Sequence, residues 1–554
     1  MNKKLLTVAI SAILLTACDD DTKTVEVIKE VEVIKEVPVQ EVTQVKNVIL
    51  MIGDGMGPQQ VGLLEEYAQR APNSTYKNKG NQTALSKLAA GGHLGLSMNA
   101  PHGATGSLVT DSACSATQLA TGLAAGSEMI GLDADGNKVA TILEKAKAAG
   151  KATGLVSDTR ITHATPAAFA AHMPHRSYEA EIAEQLVRSG SVDVMLSGGA
   201  RVFVPKSTPD NAEVKAQLDA LGMPSSVYKK SKRGDETNLV VEAKEQHGYG
   251  LAFDKAQLSS FEGEKVLGLF ANSGMSDAIA YKACQQSNSC TQPSLKEMTV
   301  KALDILSKDE DGFFLMIEGG QIDWAGHAND AGWMLNELLK FDEAVEAVHE
   351  WVKDRNDTLV VVTADHETGS FGFSYSKHER PEAQTLSGDG MYVNGVAKEY
   401  HPKFNFGPLA QLDKLYAQTG TFFDILAEAA PDEAYENVSG PTWKATIEDM
   451  TAYTVTLDNA EKVGQSVYDD KDATMIPAFE DFSDFYVYAK EDYTGKIARA
   501  IASEQSVVWG TGTHTAAPVP VYTFGPAGVT KQFSTMQHHV DVANKMMTAL
   551  GLTE

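Results

Sequence analysis

The chain has little cysteine, four residues in 554, and little positive charge, 47 Lys and Arg against 74 Asp and Glu. No C-x-x-C pair occurs, so a thiolate zinc site has no support. The shortage of cations argues against nucleic acid as a dedicated partner, because that binding rests on Lys and Arg neutralising phosphates. Gly53-Asp54-Gly55-Met56-Gly57 lacks the G-x-G-x-x-G spacing and puts an acid where a pyrophosphate would approach, which excludes a dinucleotide site. What remains is ordinary for a globular protein with a large core, 43% hydrophobic and 22% charged. A net charge of −27 lets such a protein act on an anion only if bound cations reverse the field locally.

The apolar stretch 5–15, preceded by Lys3 and Lys4, is too short to span a bilayer and reads as a signal-peptide core. Leu15-Thr16-Ala17-Cys18 resembles a bacterial lipoprotein cleavage box, which implies export to the periplasm or cell envelope and a lipid anchor on Cys18. Residues 19–46 repeat Val-Glu-Val-Ile-Lys-Glu and read as an extended stalk, reaching at most about 90 Å. In an exported chain the short loop between Cys284 and Cys290 predicts a disulfide; two free surface thiols are the alternative.

From residue 47 to the end, apolar runs alternate with amphipathic stretches. This is the pattern of an α/β fold with a mostly parallel central sheet and helices on both faces. Strands are expected at 47–53, 152–157, 192–197, 265–270, 313–318, 358–364 and 519–524. Helices are expected at 140–149, 178–189, 295–307, 331–352 and 540–550. Two stretches interrupt this spacing, a small insertion at 201–262 and a large one at 370–510. The second reads as a lid or an oligomer contact on the rim of the catalytic domain 47–554.

Three of the strands end in groups that bind cations. The run Thr358–Thr363 leads into Ala364-Asp365-His366, 47–53 delivers Asp54, and 313–317 delivers Glu318. Asp323 and His327 follow at i,i+4, which on a helix puts them on one face. Strand ends on one rim are where open α/β sheets bind ligands. Carboxylates and imidazoles gathered there predict a multinuclear metal site and a metal-dependent hydrolase. Thr110-Asp111-Ser112-Ala113 opens a small-residue helix. A serine there is ordinarily a helix cap, but beside metals its hydroxyl becomes a candidate nucleophile. Ser115 and Thr110 are weaker candidates, and Cys114 packs as a small apolar residue.

Thr110-Asp111-Ser112-Ala113, with Asp54-Gly55-Met56-Gly57 upstream and Thr363-Ala364-Asp365-His366 downstream, resembles an alkaline phosphatase, and the resemblance runs from about residue 47 to the last helix. It implies hydrolysis of phosphate monoesters through a phosphoserine on Ser112, with two Zn2+ and one Mg2+. By the same resemblance Asp54 bridges a zinc and the magnesium, and Thr165 and Glu318 are magnesium ligands. Asp323, His327 and His514 form one zinc site, Asp365 and His366 the other. Arg176 clamps the phosphate and Asp111 orients it. The 370–510 insertion resembles the crown loop of the marine-bacterial branch, which implies a homodimer. His163 and Trp324 stand beside the ligands where the enterobacterial branch has an acid and a lysine.

A phosphodiesterase of the same superfamily is the main rival; Thr165, Glu318 and Arg176 argue for monoesters. A sulfatase would need C-x-P-x-R or S-x-P-x-R at the nucleophile, which Ser112-Ala113-Cys114-Ser115-Ala116 does not supply. A lipoprotein that binds metal or phosphate without turnover is the non-enzyme reading. His172 and His175 are expected on a surface helix, with orientation of Arg176 as the alternative. His93, His102, His247, His378, His401, His538 and His539 show no ligand spacing, and Arg201 and Arg233 read as solvated surface charges.

Overall fold

The buried apolar runs form the middle of one ten-stranded sheet in the order β14-β2-β13-β8-β1-β7-β3-β4-β6-β5. The strands are β1 (Asn47–Gly53), β2 (His93–Met98), β3 (Ala152–Arg160), β4 (Val194–Gly198), β5 (Gly250–Ala252), β6 (Val266–Leu269), β7 (Phe313–Gly319), β8 (Thr358–Thr363), β13 (Val519–Phe524) and β14 (Met536–His538). Only β13 runs antiparallel to its neighbours in this sheet. Two short two-stranded antiparallel sheets lie apart from it: β9 (Glu367–Thr368) pairs with β12 (His514–Thr515), and β10 (Gly372–Phe373) with β11 (Val507–Val508). The structure is a computed structural model describing residues 43–101, 106–377, 380–384, 400–465 and 486–552. The signal segment, Cys18, nearly all of the stalk, His102 and His378 lie outside the described residues.

The central strands lack hydrophobic alternation because both of their faces are covered. In β1, Ile49 and Met51 pack into one core layer while Val48, Leu50 and Ile52 pack into the other, all fully buried. β7 and β8 divide their side chains the same way. One layer is closed mainly by the helices Pro58–Arg70, Leu295–Leu306 and Ala331–Val352, the other by Ser112–Thr121, Glu179–Arg188 and His539–Ala549. Each fully buried Leu, Ile, Val or Met is worth ~1.5–3 kcal/mol, so the layers fix which strand ends meet on the rim.

The large rim insertion shares this core. Phe422, Ile425, Trp443, Ile447, Ile497 and Ile501 belong to the same buried layer as the helix Ala331–Val352. Asp330 caps that helix through the backbone N–H of Trp333 and also accepts from Gln418 and from the N–H of Phe422. The smaller stretch 201–262 is not wholly outside the sheet, since it supplies β5, an edge strand. Val45, read as stalk, is buried and its N–H donates to Ala549, so the folded domain begins before residue 47. Cys284 and Cys290 are disulfide-bonded. Arg233 is buried, paired with Asp235 and Glu184, and Arg201 pairs with Glu179, so neither is a free surface charge. Among the described residues no helix is long and apolar enough to cross a membrane.

Candidate active site

β1, β7 and β8 are neighbours, and their register sets Ile52 beside both Glu318 and Thr363. Asp54, Glu318 and Asp365 therefore emerge together at the C-terminal ends of three adjacent strands, each fully buried. Gly55 follows at φ +73°, where a Cβ would lie 2.8 Å from the Asp323 Cα. The position needs glycine for its conformation and for the close approach. Its N–H donates to Asp365 Oδ1 at 3.1 Å, and the His366 N–H donates to the same oxygen at 2.9 Å. His539, one of the histidines without ligand spacing, is buried behind this turn. Its Nε2 donates to the Asp365 carbonyl (2.9 Å), and Nδ1 accepts from the Ser97 hydroxyl (2.8 Å).

Asp323 and His327 lie on one short helix, Gln321–His327, as their spacing requires. The antiparallel β9–β12 pair sets His514 opposite Thr368 and so brings it to the same place. The Nδ1 atoms of His327 and His514 face the carbonyl oxygens of Gly512 (2.7 Å) and Thr110 (3.0 Å). Both carry a proton on Nδ1 to make those bonds, which turns the two Nε2 atoms toward each other at 3.1 Å. Asp323 Oδ1 sits 3.4 Å from one and 3.5 Å from the other. Two ring nitrogens and a carboxylate oxygen converging this closely is an arrangement a cation resolves. Two imidazoles and a carboxylate suit zinc.

Asp54, Asp365 and His366 form a second such group, with His366 Nε2 3.1 Å from Asp365 Oδ2 and 3.5 Å from Asp54 Oδ1. Asp54 also joins a third group with Glu318 and His163. Both Asp54 oxygens, Asp365 Oδ2, Glu318 Oε1 and the Thr165 hydroxyl are buried with no hydrogen-bond partner. Glu318 Oε2, by contrast, accepts from Ser157 and Thr159. Orphaned buried oxygens of this kind are costly in a protein interior and are what a hard, oxygen-seeking cation such as magnesium would satisfy. Arg176 Nη2 donates to His163 Nε2 at 3.2 Å, so His163 carries its proton on Nδ1. It thus presents a donor toward Glu318 Oε1, 3.9 Å away.

Burial, reinforced by Asp365, Asp323 and Glu318, holds the Asp54 carboxyl well above the usual carboxylate range. Burial and Asp323 push Asp365 up to about 7, and burial raises Glu318. Burial likewise holds His163 and His366 neutral, well below the usual imidazole range. Burial would raise Asp323 too, but His327 and His514 hold it well below its ordinary value. Without cations the rim is a set of acids that resist ionising together.

Asp111, not Ser112, caps the helix Ser112–Thr121, accepting from the N–H groups of Ala113 and Cys114. The Ser112 hydroxyl is thereby left free at the helix N-terminus, 3.1 Å from His366 Nε2. Asp111 Oδ1 lies 3.7 Å from Arg176 Nη1. Thr110 and Ser115 are turned to backbone carbonyls, and Cys114 is buried with its thiol on the Ala125 carbonyl. Trp324 meets His163 edge-on at 6.1 Å. Ser112 and the group of Asp323, His327 and His514 open on a cleft of about 810 Å³ lined also by Arg160, His163, Arg176 and Trp324. His172 bonds Gly131 and Glu144 instead of Arg176, and His175 bonds Ser177 and Glu128; neither is on a helix. Thr368 went unremarked in the sequence, yet its hydroxyl donates to Asp323 at 2.6 Å.

A family model described as alkaline phosphatase matches residues 45–552. Alkaline phosphatase 3 of Bacillus subtilis is 31% identical over 512 residues, covering 92% of this chain and 89% of that protein. Alkaline phosphatase 4 of the same organism is 29% identical over 510 residues, 91% and 88% of the two chains. Among solved structures, the alkaline phosphatase of Thermus thermophilus superposes with a TM-score of 0.70 at 24% identity over 93% of each chain, a likeness of fold. The cold-active enzyme of a psychrophilic Shewanella gives 0.62 at 27% identity, covering 91% of this chain and 99% of that one. With carboxylates, imidazoles and a free serine on one rim, and the family model spanning nearly the whole chain, this protein belongs to the alkaline phosphatase family.

Proposed function

We propose that the protein hydrolyses phosphate monoesters at alkaline pH through a phosphoserine on Ser112, with two zinc ions and one magnesium ion. The observation that carries this reading is the set of unpartnered donor atoms converging beside the free Ser112 hydroxyl. Asp323, His327 and His514 would hold one zinc and Asp365 and His366 the other. Asp54 would be shared between the second zinc and the magnesium, which Glu318 and Thr165 would complete. Bound there, the cations supply Lewis-acid stabilisation of charge on the phosphoryl and serine oxygens.

The remaining work falls to the chain itself. Arg176 has the planar fork that matches two non-bridging phosphoryl oxygens, and Asp111 orients it. The helix N-terminus beneath Ser112 favours a phosphate on that residue. Ser112 Oγ bonds to phosphorus as the ester P–O bond breaks and the alcohol leaves; water then cleaves the phosphoserine and releases phosphate. In the same reading the chain is exported, anchored through a lipidated Cys18, and works as a homodimer.

The reading is tested with p-nitrophenyl phosphate against bis-p-nitrophenyl phosphate. The diester has one phosphoryl oxygen fewer to engage, and losing a transition-state contact costs about 10²-fold or more. A monoester preference of at least that size is expected; equal kcat/KM on the two would transfer the assignment to a phosphodiesterase. Trp324 offers no cation beside the phosphate, so Trp324→Lys is expected to tighten product inhibition by phosphate about tenfold. An unchanged inhibition constant would show that position 324 does not set phosphate release.

A further inference from the structure

Lys340, Asp158 and Glu337 form a buried ion triad beside the turn that joins Glu318 to Asp323. Lys340 Nζ lies 3.0 Å from Asp158 Oδ2 and also pairs with Glu337 Oε2; the three side chains are 10%, 3% and 0% exposed. Lys340 and Glu337 stand at i,i+3 on the helix Ala331–Val352, and Asp158 lies near the end of β3. None of the three lines the cleft. An ion cluster taken this far out of water gains little over apolar side chains of the same size, so stability is a poor account of its presence.

The bonds that Asp158 makes supply a better one. Its Oδ1 accepts from the Gly320 N–H at 2.7 Å, and its carbonyl accepts from the Gln321 side chain at 2.9 Å. Gly320 and Gln321 stand where β7 gives way to the helix Gln321–His327. On either side of Asp158, the hydroxyls of Ser157 and Thr159 donate to Glu318 Oε2, because the register of β3 and β7 sets Ser157 beside Glu318. A Cβ on Gly320 would run into Thr159 and Glu318, so the turn fits closely against β3. Three consecutive residues thus hold one candidate ligand directly and the turn leading to two others, Asp323 and His327. Of the three only Asp158 is charged, and Lys340 ties its second oxygen to a helix whose Leu338, Phe341 and Val345 are locked in the core. Glu337 is fixed in turn, since its Oε1 accepts from the Ala278 N–H (2.6 Å) and from Trp333 Nε1 (2.8 Å).

We propose that Lys340, acting through Asp158, is a positioning residue that sets the spacing between Glu318 and Asp323. The linkage runs from an ammonium on a rigid helix, through a carboxylate on a central strand, to a backbone amide in the ligand turn. This rests on the reading that Glu318 and Asp323 hold cations. The two belong to different donor groups, so a loosened turn weakens both. Asp365 and His366 are on another strand end and keep their geometry. Partners that orient ligands without touching the metal ordinarily matter ten- to hundredfold in metal affinity, about what is expected here.

The experiment measures zinc and magnesium dissociation constants of the full-length protein by competition with a chelating indicator, at a temperature where circular dichroism shows each variant folded. Asp158→Ala removes the acceptor for Gly320 and is expected to weaken magnesium and one zinc about ten- to a hundredfold, with the other zinc held within about threefold. Asp158→Asn keeps an oxygen for the Gly320 N–H and should recover most of that loss, a rescue that a purely structural ion pair would not give. Lys340→Met should weaken the same two ions about tenfold, and Lys340→Arg, which keeps the charge, should restore them. In the Asp158→Ala background Lys340→Met should cost nothing more, since its path to the turn is already cut. Should Lys340→Met alone fail to fold, that double variant and the Ala–Asn comparison at position 158 decide. Unchanged metal constants in folded variants, equal loss at every metal, or equal effects of Ala and Asn would overturn the positioning role. An unmodified protein that takes up neither zinc nor magnesium would instead overturn the metal reading.

Discussion

Ser112→Ala is expected to lower kcat on p-nitrophenyl phosphate by about 10⁴-fold or more and to abolish acid-stable phosphoenzyme, while metal content stays unchanged. The expectation follows from where the hydroxyl sits. Asp111 has taken over the capping of the helix, so the serine hydroxyl holds no helix N–H and bonds His366 instead. The residue is only 2% exposed, yet its Oγ lies 3.1 Å from His366 Nε2, beside the donor groups that would hold cations. Alanine fits the N-terminal turn of a helix whose neighbours are already Ala113, Cys114, Ser115 and Ala116, so the fold survives the change. No metal-ligand candidate is removed. Trapping with labelled substrate and metal analysis of the variant separate a missing nucleophile from a damaged site. Turnover within tenfold of the unmodified protein would remove Ser112 from the mechanism.

The second large effect is the coupling of metal, pH and stability. Asp54, Asp365 and Glu318 are buried together, and their carboxyls are pushed upward, Asp365 to about 7 from an ordinary 3.8. A raised carboxyl in the folded state binds a proton that the unfolded chain has released. In the stripped protein this contributes stability at low pH, which is lost as pH rises from about 4 through about 7. In the loaded protein the cations keep these carboxylates ionised at no such cost, so that loss is absent. His163 and His366 are held neutral by burial, and His366 must also be neutral to hold a metal, so they contribute little to the difference. The gap in stability between loaded and stripped protein should therefore widen as pH rises to about 7 and level off above it. Each proton displaced contributes up to ~1.4 kcal/mol per pH unit. Thermal unfolding of both forms across this range measures it; parallel curves would mean that the carboxylates do not share the cations.

How much of this was legible in the sequence depended on burial. Strands buried on both faces carry long β-branched runs, and β1 and β13 fall where those runs do. The helix Ala331–Val352 was equally plain, since its amphipathic repeat extends over 22 residues. The strands at and next to the sheet edges were not legible. β5 and β14 have three residues each, too few for any periodicity to register, and β2 mixes glycine and histidine into its alternation. Their pairing is fixed by neighbours distant in the chain, such as Tyr522 with Leu94. At the site, the groups at strand ends could be read because the strand directs them to the rim. The groups that hold them could not. His539, Ser157, Thr159 and Thr368 are ordinary residue types whose roles come from tertiary contacts alone. Arg233 shows the same limit: its charge suggested the surface, while Asp235 and Glu184 make its burial possible.

The central claim is that cations on the strand ends make a buried serine reactive on a strongly acidic protein. It is tested most directly by stripping the purified protein of divalent ions, confirming their removal by elemental analysis, and assaying p-nitrophenyl phosphate hydrolysis as zinc and magnesium are returned. Activity should vanish with the metals and return as they rebind. Undiminished hydrolysis by protein shown to carry no divalent metal would contradict the account.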